Sequence, residues 1–212
     1  MKQIIFYYVR HGQTVFNKTG IIQGRADSPL DPEGIPALRE TGSILHEIPF
    51  SRCFISPLHR CQETADIILE GWNIPAEVIE DLKEVSFGDI DGLPHAEHRK
   101  ELKLIHFTNN LTLVHGESNA SIRARARHAF NLMSALADDG DRILVVSHGT
   151  YYRHVLHELM HRNRVILKMD KRYHGAANGS VSVFVNRNGQ YDLLCYPLTG
   201  DVLRQFLHDQ TI

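Results

Sequence analysis

Cysteine and tryptophan are scarce in this sequence. Its 212 residues include three cysteines and one tryptophan. The cysteines, Cys53, Cys61 and Cys195, are odd in number and widely spaced, and each lies in or beside an apolar segment. That usage is typical of reduced thiols in a cytosolic protein. No disulfide framework is therefore predicted, and we expect a cytoplasmic protein.

Long apolar runs and an excess charge of one sign are also missing. The uncharged apolar stretches have the length of a strand, far below the ~20 residues of a membrane-spanning helix. Only about six apolar residues precede Arg10, fewer than the roughly 7–15 of an export signal. With 23 Lys and Arg against 25 Asp and Glu, the formal net charge is −2. We therefore expect neither a membrane nor a nucleic acid as partner.

The composition that remains is that of a folded protein. Hydrophobic residues make up 42% and charged residues 23% of the chain, which provides enough apolar material for a full core. No repeat, low-complexity tract or Pro- or Ser-rich linker interrupts it. We therefore predict a single domain over residues 1–212.

Strand-length apolar runs alternate with helical periodicity along the chain. The runs at residues 4–9 and 143–146 have almost no polar alternation, which is typical of strands buried on both faces of a sheet. The other short apolar runs lie at residues 53–55, 78–79, 181–185 and 191–196. Helices are predicted over residues 35–48, 58–69, 118–137 and 150–160, with Ser118 as an N-cap. The alternation predicts an α/β fold with three α/β/α layers and a mostly parallel central sheet.

Two predicted strands are followed directly by a histidine and a glycine. The first strand leads into Arg10, His11 and Gly12, and the fourth into His148 and Gly149. Because parallel strands end at the same edge of a sheet, we expect the two histidines to lie close together. Glycine lets the backbone approach a ligand, so Gly149 is predicted among the substrate-binding residues.

An arginine and a glutamate follow the second and third predicted strands, at residues 53–55 and 78–79. Arg60 lies in the first turn of the helix that follows the second strand, and Glu84 lies beyond the third strand. With His11 and Arg10 they match phosphoryl transfer without a metal, because a neutral imidazole can accept the phosphoryl group and guanidiniums bind its oxygens. We expect a protonated His148 to add positive charge, and Glu84 to protonate the leaving alcohol.

Six motifs occur in order over nearly the whole chain. They are RHGQTVFN (residues 10–17), QGRADSPL (23–30), SPLHRCQET (56–64), GES (116–118), VVSHG (145–149) and NGSV (178–181). Together they resemble the motifs of the histidine phosphatase superfamily, also called the phosphoglycerate mutase-like family. The resemblance implies that His11 is the phosphorylated nucleophile and Glu84 the proton donor. It implies a phosphate pocket formed by Arg10, Asn17, Gln23, Arg60 and His148.

The resemblance also bears on the type of reaction. Residues 87–92 read Phe-Gly-Asp-Ile-Asp-Gly where the family often has Phe-Gly-x-Trp-Glu-Gly, so the pocket wall near Glu84 is expected to differ. The segment between Glu84 and His148 is shorter than in the phosphoglycerate mutases, whose insertion helps to exclude water. We predict a phosphatase of a small phosphorylated metabolite, without metal or other cofactor. A mutase and a nearly inactive phosphate-binding homologue are the alternatives.

Two further patterns have a functional and a bland interpretation. Residues 157–161 read His-Glu-Leu-Met-His, the spacing of a zinc protease helix, but no third histidine ligand follows, and we favour a solvated border for this pair and for His95 and His98. Residues 161–174 hold five Lys or Arg against one Asp. That run is either a solvated face or a surface that steers a substrate with a second anionic group.

Overall fold

The computed structural model describes residues 2–162 and 164–209, which form a six-stranded sheet covered by helices. The strands are β1 (Gln3–Arg10), β2 (Arg52–Ile55), β3 (Ala76–Val78), β4 (Arg142–Ser147), β5 (Val181–Arg187) and β6 (Gln190–Leu198). Their order across the sheet is β3-β2-β4-β1-β5-β6. The first four are mutually parallel, β5 is antiparallel to β1, and β6 is antiparallel to β5, so that β5 alone among the six runs in the opposite direction. The six predicted strands and the mostly parallel sheet are confirmed.

Eight α-helices lie in the described part of the chain. They are α1 (Val15–Thr19), α2 (Ile35–Leu45), α3 (His59–Ile68), α4 (Arg99–Thr108), α5 (Asn119–Leu136), α6 (Gly149–Met160), α7 (Arg164–Met169) and α8 (Gly200–Asp209). The Ser118 side chain caps α5 as predicted, because it accepts the backbone N–H of Ser121. None of these helices combines the length and the apolar character needed to cross a bilayer.

The three-layer prediction is confirmed by how the central strands pack. Successive side chains of a strand point to opposite faces of the sheet. Phe6 and Val145 belong to an apolar cluster that includes residues of α5 and α6, whereas Tyr7 and Val146 belong to a second cluster with residues of α2 and α3. Both faces of β1 and β4 are therefore buried, which explains their nearly uninterrupted apolar sequences.

The register between β1 and β4 positions the ends of these two strands. Arg10 lies opposite Ser147, and the backbone N–H of His11 donates to the carbonyl of Ser147 at 2.9 Å. The hydroxyl of Tyr8 donates to the carbonyl of His148 at 2.8 Å and accepts its backbone N–H at 3.1 Å. His11 and His148 therefore leave neighbouring strands at one edge of the sheet, as predicted.

Candidate active site

A cleft of about 440 Å³ lies at this edge of the sheet. Six of the predicted site residues line it: Arg10, His11, Asn17, Gln23, Glu84 and Gly149. The other two, Arg60 and His148, have no exposed surface and lie behind His11. The ring centroids of His11 and His148 are 5.3 Å apart. The structure thus brings the eight residues together but exposes only six of them to the cleft.

The imidazole of His11 is held in one tautomer. Its Nδ1 lies 2.8 Å from the carbonyl oxygen of Gly12, which only accepts hydrogen bonds, so Nδ1 carries the proton. The Asn178 amide donates to the same carbonyl at 3.1 Å, and the Gly12 N–H donates to the Thr64 hydroxyl at 2.9 Å. In the neutral ring this arrangement leaves the lone pair of Nε2 free to attack.

Burial and two neighbouring guanidiniums keep His11 neutral. Desolvation is the largest effect, and the charges of Arg60 and Arg10 add to it, so the pKa of His11 lies well below its usual value. A neutral imidazole is the reactive form of a histidine nucleophile. Arg60 therefore influences His11 through its field even though it does not line the cleft.

Arg10 lies against a glycine that has no room for a side chain. One Nη atom of Arg10 donates to the carbonyl of Ala176, and its buried Nε has no hydrogen-bond partner among the residues described. A Cβ atom on Gly149 would lie 3.0 Å from that Nε. Glycine at this position thus allows the Arg10 guanidinium to pack on the start of α6.

The carboxylate of Glu84 caps α6. One oxygen accepts the N–H of Tyr151 at 2.7 Å and that of Val85 at 2.9 Å, and the other accepts the N–H of Thr150 at 3.0 Å. These two residues of α6 belong to its first turn, whose N–H groups have no partner within the helix. The cap fixes Glu84 at the cleft wall beside the chain segment that follows His148.

Arg125 of α5 holds the segment that carries Glu84. Its guanidinium donates to three carbonyls of residues 81–84, at 2.7 Å to Asp81, 2.6 Å to Lys83 and 3.3 Å to Glu84. The same group is paired with both carboxylate oxygens of Glu117 at 2.8 and 3.0 Å. It also lies 4.5 Å from the ring centroid of Tyr151. We therefore infer that Arg125 positions Glu84 on α6, a role with no sequence-based expectation.

All five N–H groups of Arg60 already have acceptors. The acceptors are the Gly24 carbonyl at 2.8 Å, the Ala26 carbonyl at 3.0 Å, the Asp27 carboxylate at 2.9 Å and the His148 Nδ1 at 3.1 and 3.3 Å. Arg60 was expected in the phosphate pocket. In this structure the N–H groups of Arg60 bind the loop of residues 24–27 instead, because that loop folds over the start of α3.

His148 is neutral in this structure, which differs from the protonated form expected from the sequence. Its Nδ1 accepts from Arg60, so the ring proton lies on Nε2, which is 2.7 Å from the hydroxyl oxygen of Ser56. Burial, followed by the charge of Arg60, holds the pKa of His148 well below its usual value. The sequence could not predict this state because it depends on how the Arg60 guanidinium is oriented.

Asn17 and Gln23 belong to one hydrogen-bonded loop network. The Oε1 of Gln23 accepts from the Thr14 hydroxyl at 2.7 Å and from the Asn17 amide at 3.3 Å. The Oδ1 of Asn17 accepts from the Asn178 amide at 3.0 Å. Both side chains therefore stabilise the loop and line the cleft.

In the segment of residues 87–92, which differs from the family pattern, the carboxylate of Asp91 binds a neighbouring loop. The Asp91 carboxylate accepts the backbone N–H groups of Gly24, Arg25 and Ala26 at 3.0, 2.7 and 3.1 Å. Gly24 leaves no space for a side chain, since a Cβ atom there would lie 2.5 Å from the carbonyl oxygen of Val85. Asp91 thus ties the loop of residues 24–27, which engages Arg60, to the wall of the cleft.

The residues of the zinc-protease pattern, 157–161, make other contacts at the end of α6. Glu158 forms ion pairs with Arg123 and Arg127, and His161 is an exposed residue that ends the helix with a φ of 54°. Within residues 2–162 and 164–209 no three His, Cys, Asp or Glu side chains are grouped so that they could hold a metal ion. These contacts are consistent with the interpretation that His157 and His161 lie at the solvated border of the helix.

The basic run at residues 161–174 includes one arginine that is paired with an acid of the same run. Arg172 is paired with Asp170 through contacts of 2.7 and 2.9 Å. The side chains of Arg164 and Lys168 lie outside the described residues.

Other side chains line the cleft without having been expected: Phe87, His95, Leu102, Arg153, Tyr173 and Ala176. Arg153 sits on the polar part of α6, where a sequence offers no signal beyond the spacing from Gly149.

Acid is expected to destabilise the fold through its buried histidines. Burial lowers the pKa of His154 from 6.5 to about 4, with the charge of Arg153 as the next cause. Unfolding therefore takes up a proton between these values, and the free energy of unfolding falls as pH decreases below 6.5. For His154 alone we expect a loss of about 2 kcal/mol between pH 7 and pH 5.

Urea unfolding at the two pH values measures this loss. His154→Gln should show a smaller difference between pH 7 and pH 5 than the wild type, by about 2 kcal/mol. The exposed histidine of the matched variant His174→Gln should leave the difference unchanged. An equal pH dependence in His154→Gln and the wild type would show that His154 is not held neutral.

A family model describes almost the whole of this chain. The model of the histidine phosphatase superfamily (branch 1) matches residues 6–199. The chain belongs to the histidine phosphatase superfamily. The sequence-based resemblance is therefore confirmed, and the phosphatases and mutases of this superfamily share the fold described above.

Relatives within the histidine phosphatase superfamily carry names of both reaction types. An adenosylcobalamin/alpha-ribazole phosphatase of Salmonella typhimurium is 29% identical over 147 residues, which cover 67% of this chain and 72% of the relative. A 2,3-bisphosphoglycerate-dependent phosphoglycerate mutase 2 of Gloeobacter violaceus is 33% identical over 162 residues, covering 72% and 74%. The crystal structure of a phosphoglycerate mutase from Bacillus anthracis has a TM-score of 0.81 and 23% identity, covering 97% and 96% of the two chains. That last likeness concerns the fold alone.

Proposed function

We propose that this protein is a metal-independent phosphatase, which hydrolyses small phosphomonoesters through a phosphohistidine at His11. One observation carries the proposal: a neutral His11, with its proton fixed on Nδ1, presents its other ring nitrogen in a cleft that also holds Arg10 and Glu84. A nucleophile, a guanidinium and a carboxyl group in one cleft are what in-line transfer of a phosphoryl group requires.

In the first step the lone pair of His11 Nε2 attacks phosphorus. The N–P bond forms as the bond from phosphorus to the ester oxygen breaks, and the Glu84 carboxyl group gives its proton to the departing alkoxide. In the second step Glu84 takes a proton from water, the water oxygen attacks phosphorus, and the N–P bond breaks. Phosphate leaves, and His11 returns to its neutral form.

The remaining predicted residues divide into two groups. Arg10, Asn17 and Gln23 are proposed to bind the phosphate oxygens, since they line the cleft and carry N–H donors. Arg60 and His148 are buried behind the nucleophile, and we propose that Arg60 acts on the phosphoryl group through its positive potential, while the neutral His148 orients the guanidinium by accepting its N–H groups. Their direct contact with phosphate requires an exchange of the bonds between Arg60 and residues 24–27.

A mutase is the second candidate, since a relative with 33% identity carries that name. A mutase must keep water from its phosphorylated histidine, whereas hydrolysis needs water at the same atom. Exposed side chains, His95 and Arg153, form part of the cleft wall, which favours access of water and hence hydrolysis.

Phosphate release from a panel of esters in excess EDTA tests the proposal. We expect turnover of p-nitrophenyl phosphate and of at least one metabolite ester, unaffected by the chelator. A mutase would instead convert 3-phosphoglycerate to 2-phosphoglycerate in the presence of 2,3-bisphosphoglycerate, with little phosphate released. If no ester is converted but phosphate raises the melting temperature, the protein is a phosphate-binding homologue and the proposal is wrong.

A further inference from the structure

The cleft continues beyond His11 into a groove of about 570 Å³ along α4. Phe87, His95, Leu102 and Arg153 line both parts, so the two spaces are continuous. The groove is large enough for the alcohol part of a small metabolite. Its lining therefore bears on which esters fit.

Three cations of two helices face this groove. Arg153 lies four residues after Gly149 on α6, so it is on the same helix face and about 6 Å further along the axis. Arg99 and Lys103 have the same spacing on α4, and both line the groove. A molecule bound at His11 would therefore extend toward a guanidinium on one wall and toward two cations on the other.

In the described part of the chain no carboxylate is paired with these three cations. Elsewhere on the surface arginines are paired, for example Arg39 with Glu70 at 3.0 Å. No ion pair joins Arg99, Lys103 or Arg153 to a carboxylate within residues 2–162 and 164–209. Among the residues that line the cleft and groove, Glu84 is the only acid in the described chain. Like charges that face one groove without a counterion provide a site for an anion.

The neighbouring histidines cannot replace these cations at neutral pH. His154 and His157 line a smaller recess next to Arg153. Burial lowers the pKa of both, and Arg153 and Arg123 add to the effect for His154 and His157 respectively. Leu102 and Phe87 line the cleft and the groove together with Arg153, and their apolar side chains suit the carbon skeleton of a substrate.

We propose that the alcohol part of the substrate carries a second anionic group, a carboxylate or a further phosphate, and that Arg153 binds it. The inference rests on the proposed phosphatase function and goes beyond it by assigning a specificity-determining residue. Arg153 can hold either anion through two parallel N–H contacts, and Arg99 and Lys103 add to the attraction from the opposite wall.

Matched pairs of esters test the assignment. 3-Phosphoglycerate and glycerol 3-phosphate share a carbon chain and differ in the carboxylate, and 1,3-propanediol bisphosphate and 3-hydroxypropyl phosphate differ in the second phosphate. We expect the wild type to hydrolyse the anionic member of at least one pair with a kcat/KM roughly tenfold higher or more. Arg153→Gln should remove most of that preference through KM, and Arg153→Lys should restore part of it. The pair that shows the preference identifies the anion.

Controls separate this inference from the proposed function. Lys100→Gln removes an exposed cation of α4 that does not line the groove and should leave the preference intact. Hydrolysis of p-nitrophenyl phosphate, which has no second anion, tests the phosphatase function alone. An equal loss on both members of each pair in Arg153→Gln, or no preference in the wild type, would overturn the inference. If no ester is hydrolysed, calorimetric titration with 3-phosphoglycerate and glycerol 3-phosphate must show the same preference, or the inference fails.

Discussion

Replacing His11 with alanine is expected to lower the rate of phosphate release by roughly 10⁴-fold or more, because it removes the imidazole that we propose forms the covalent intermediate. With labelled substrate the wild type should retain phosphate on the protein in a form stable in alkali and lost in acid, as a phosphoramidate is. His11→Ala should retain none. Labelling and steady-state phosphate release together measure the effect.

A matched histidine variant makes the His11 result specific. His174 is exposed and does not line the cleft, so His174→Ala should be labelled and should turn over like the wild type. Far-UV circular dichroism of both variants reports whether the fold is intact. Turnover by a folded His11→Ala protein at a rate near that of the wild type would remove His11 from the reaction.

Replacing Glu84 with glutamine is expected to affect esters according to their leaving groups. Alkyl phosphates need a proton on the departing oxygen, so their kcat/KM, which reports transfer to His11 and not the later hydrolysis step, should fall by roughly 10²- to 10⁴-fold. p-Nitrophenolate leaves without a proton, so cleavage of its ester should fall far less. The measurement is the dependence of log kcat/KM on leaving-group pKa across a series of esters. Equal losses along the series would show that Glu84 is not the proton donor.

Arg125→Gln should give the same signature in weaker form. The variant frees residues 81–84 and the first turn of α6 from their common clamp, so Glu84 is displaced but present. Arg127→Gln is the control, because Arg127 lies on the same helix and pairs with Glu158 at the surface. A loss in Arg125→Gln that is independent of the leaving group would assign to Arg125 a purely structural role.

Much of the fold could be predicted because its strands are buried on both faces. The runs at residues 4–9 and 143–146 show this directly in their composition, and the helices between them carry apolar stripes that face the sheet. Helix α4 is the instructive failure. It is absent from the helices predicted above, because none of its residues is fully buried and only Leu102 and Ile105 pack against a small apolar cluster.

The candidate site could be predicted as far as strand ends determine it. His11 and His148 follow parallel strands in register, so their proximity is a consequence of the sheet. The hydrogen bonds between Arg60 and residues 24–27 could not be predicted. They depend on the conformation of a loop that is held by Asp91, a residue of a distant segment. Arg153 was missed for another reason: an exposed arginine on a helix is usually solvated, and only the shape of the groove distinguishes this one.

The pairing of β1 with β4 has a consequence for how the protein gains activity. His11 and His148 are brought together by the pairing of strands that are far apart in the chain, with five helices, α1 to α5, in between. Contacts of that sequence separation form late and slowly, since the loop that they close is long. During refolding, helical signal should therefore return before catalytic turnover, and no amino-terminal fragment that ends before β4 can contain the site.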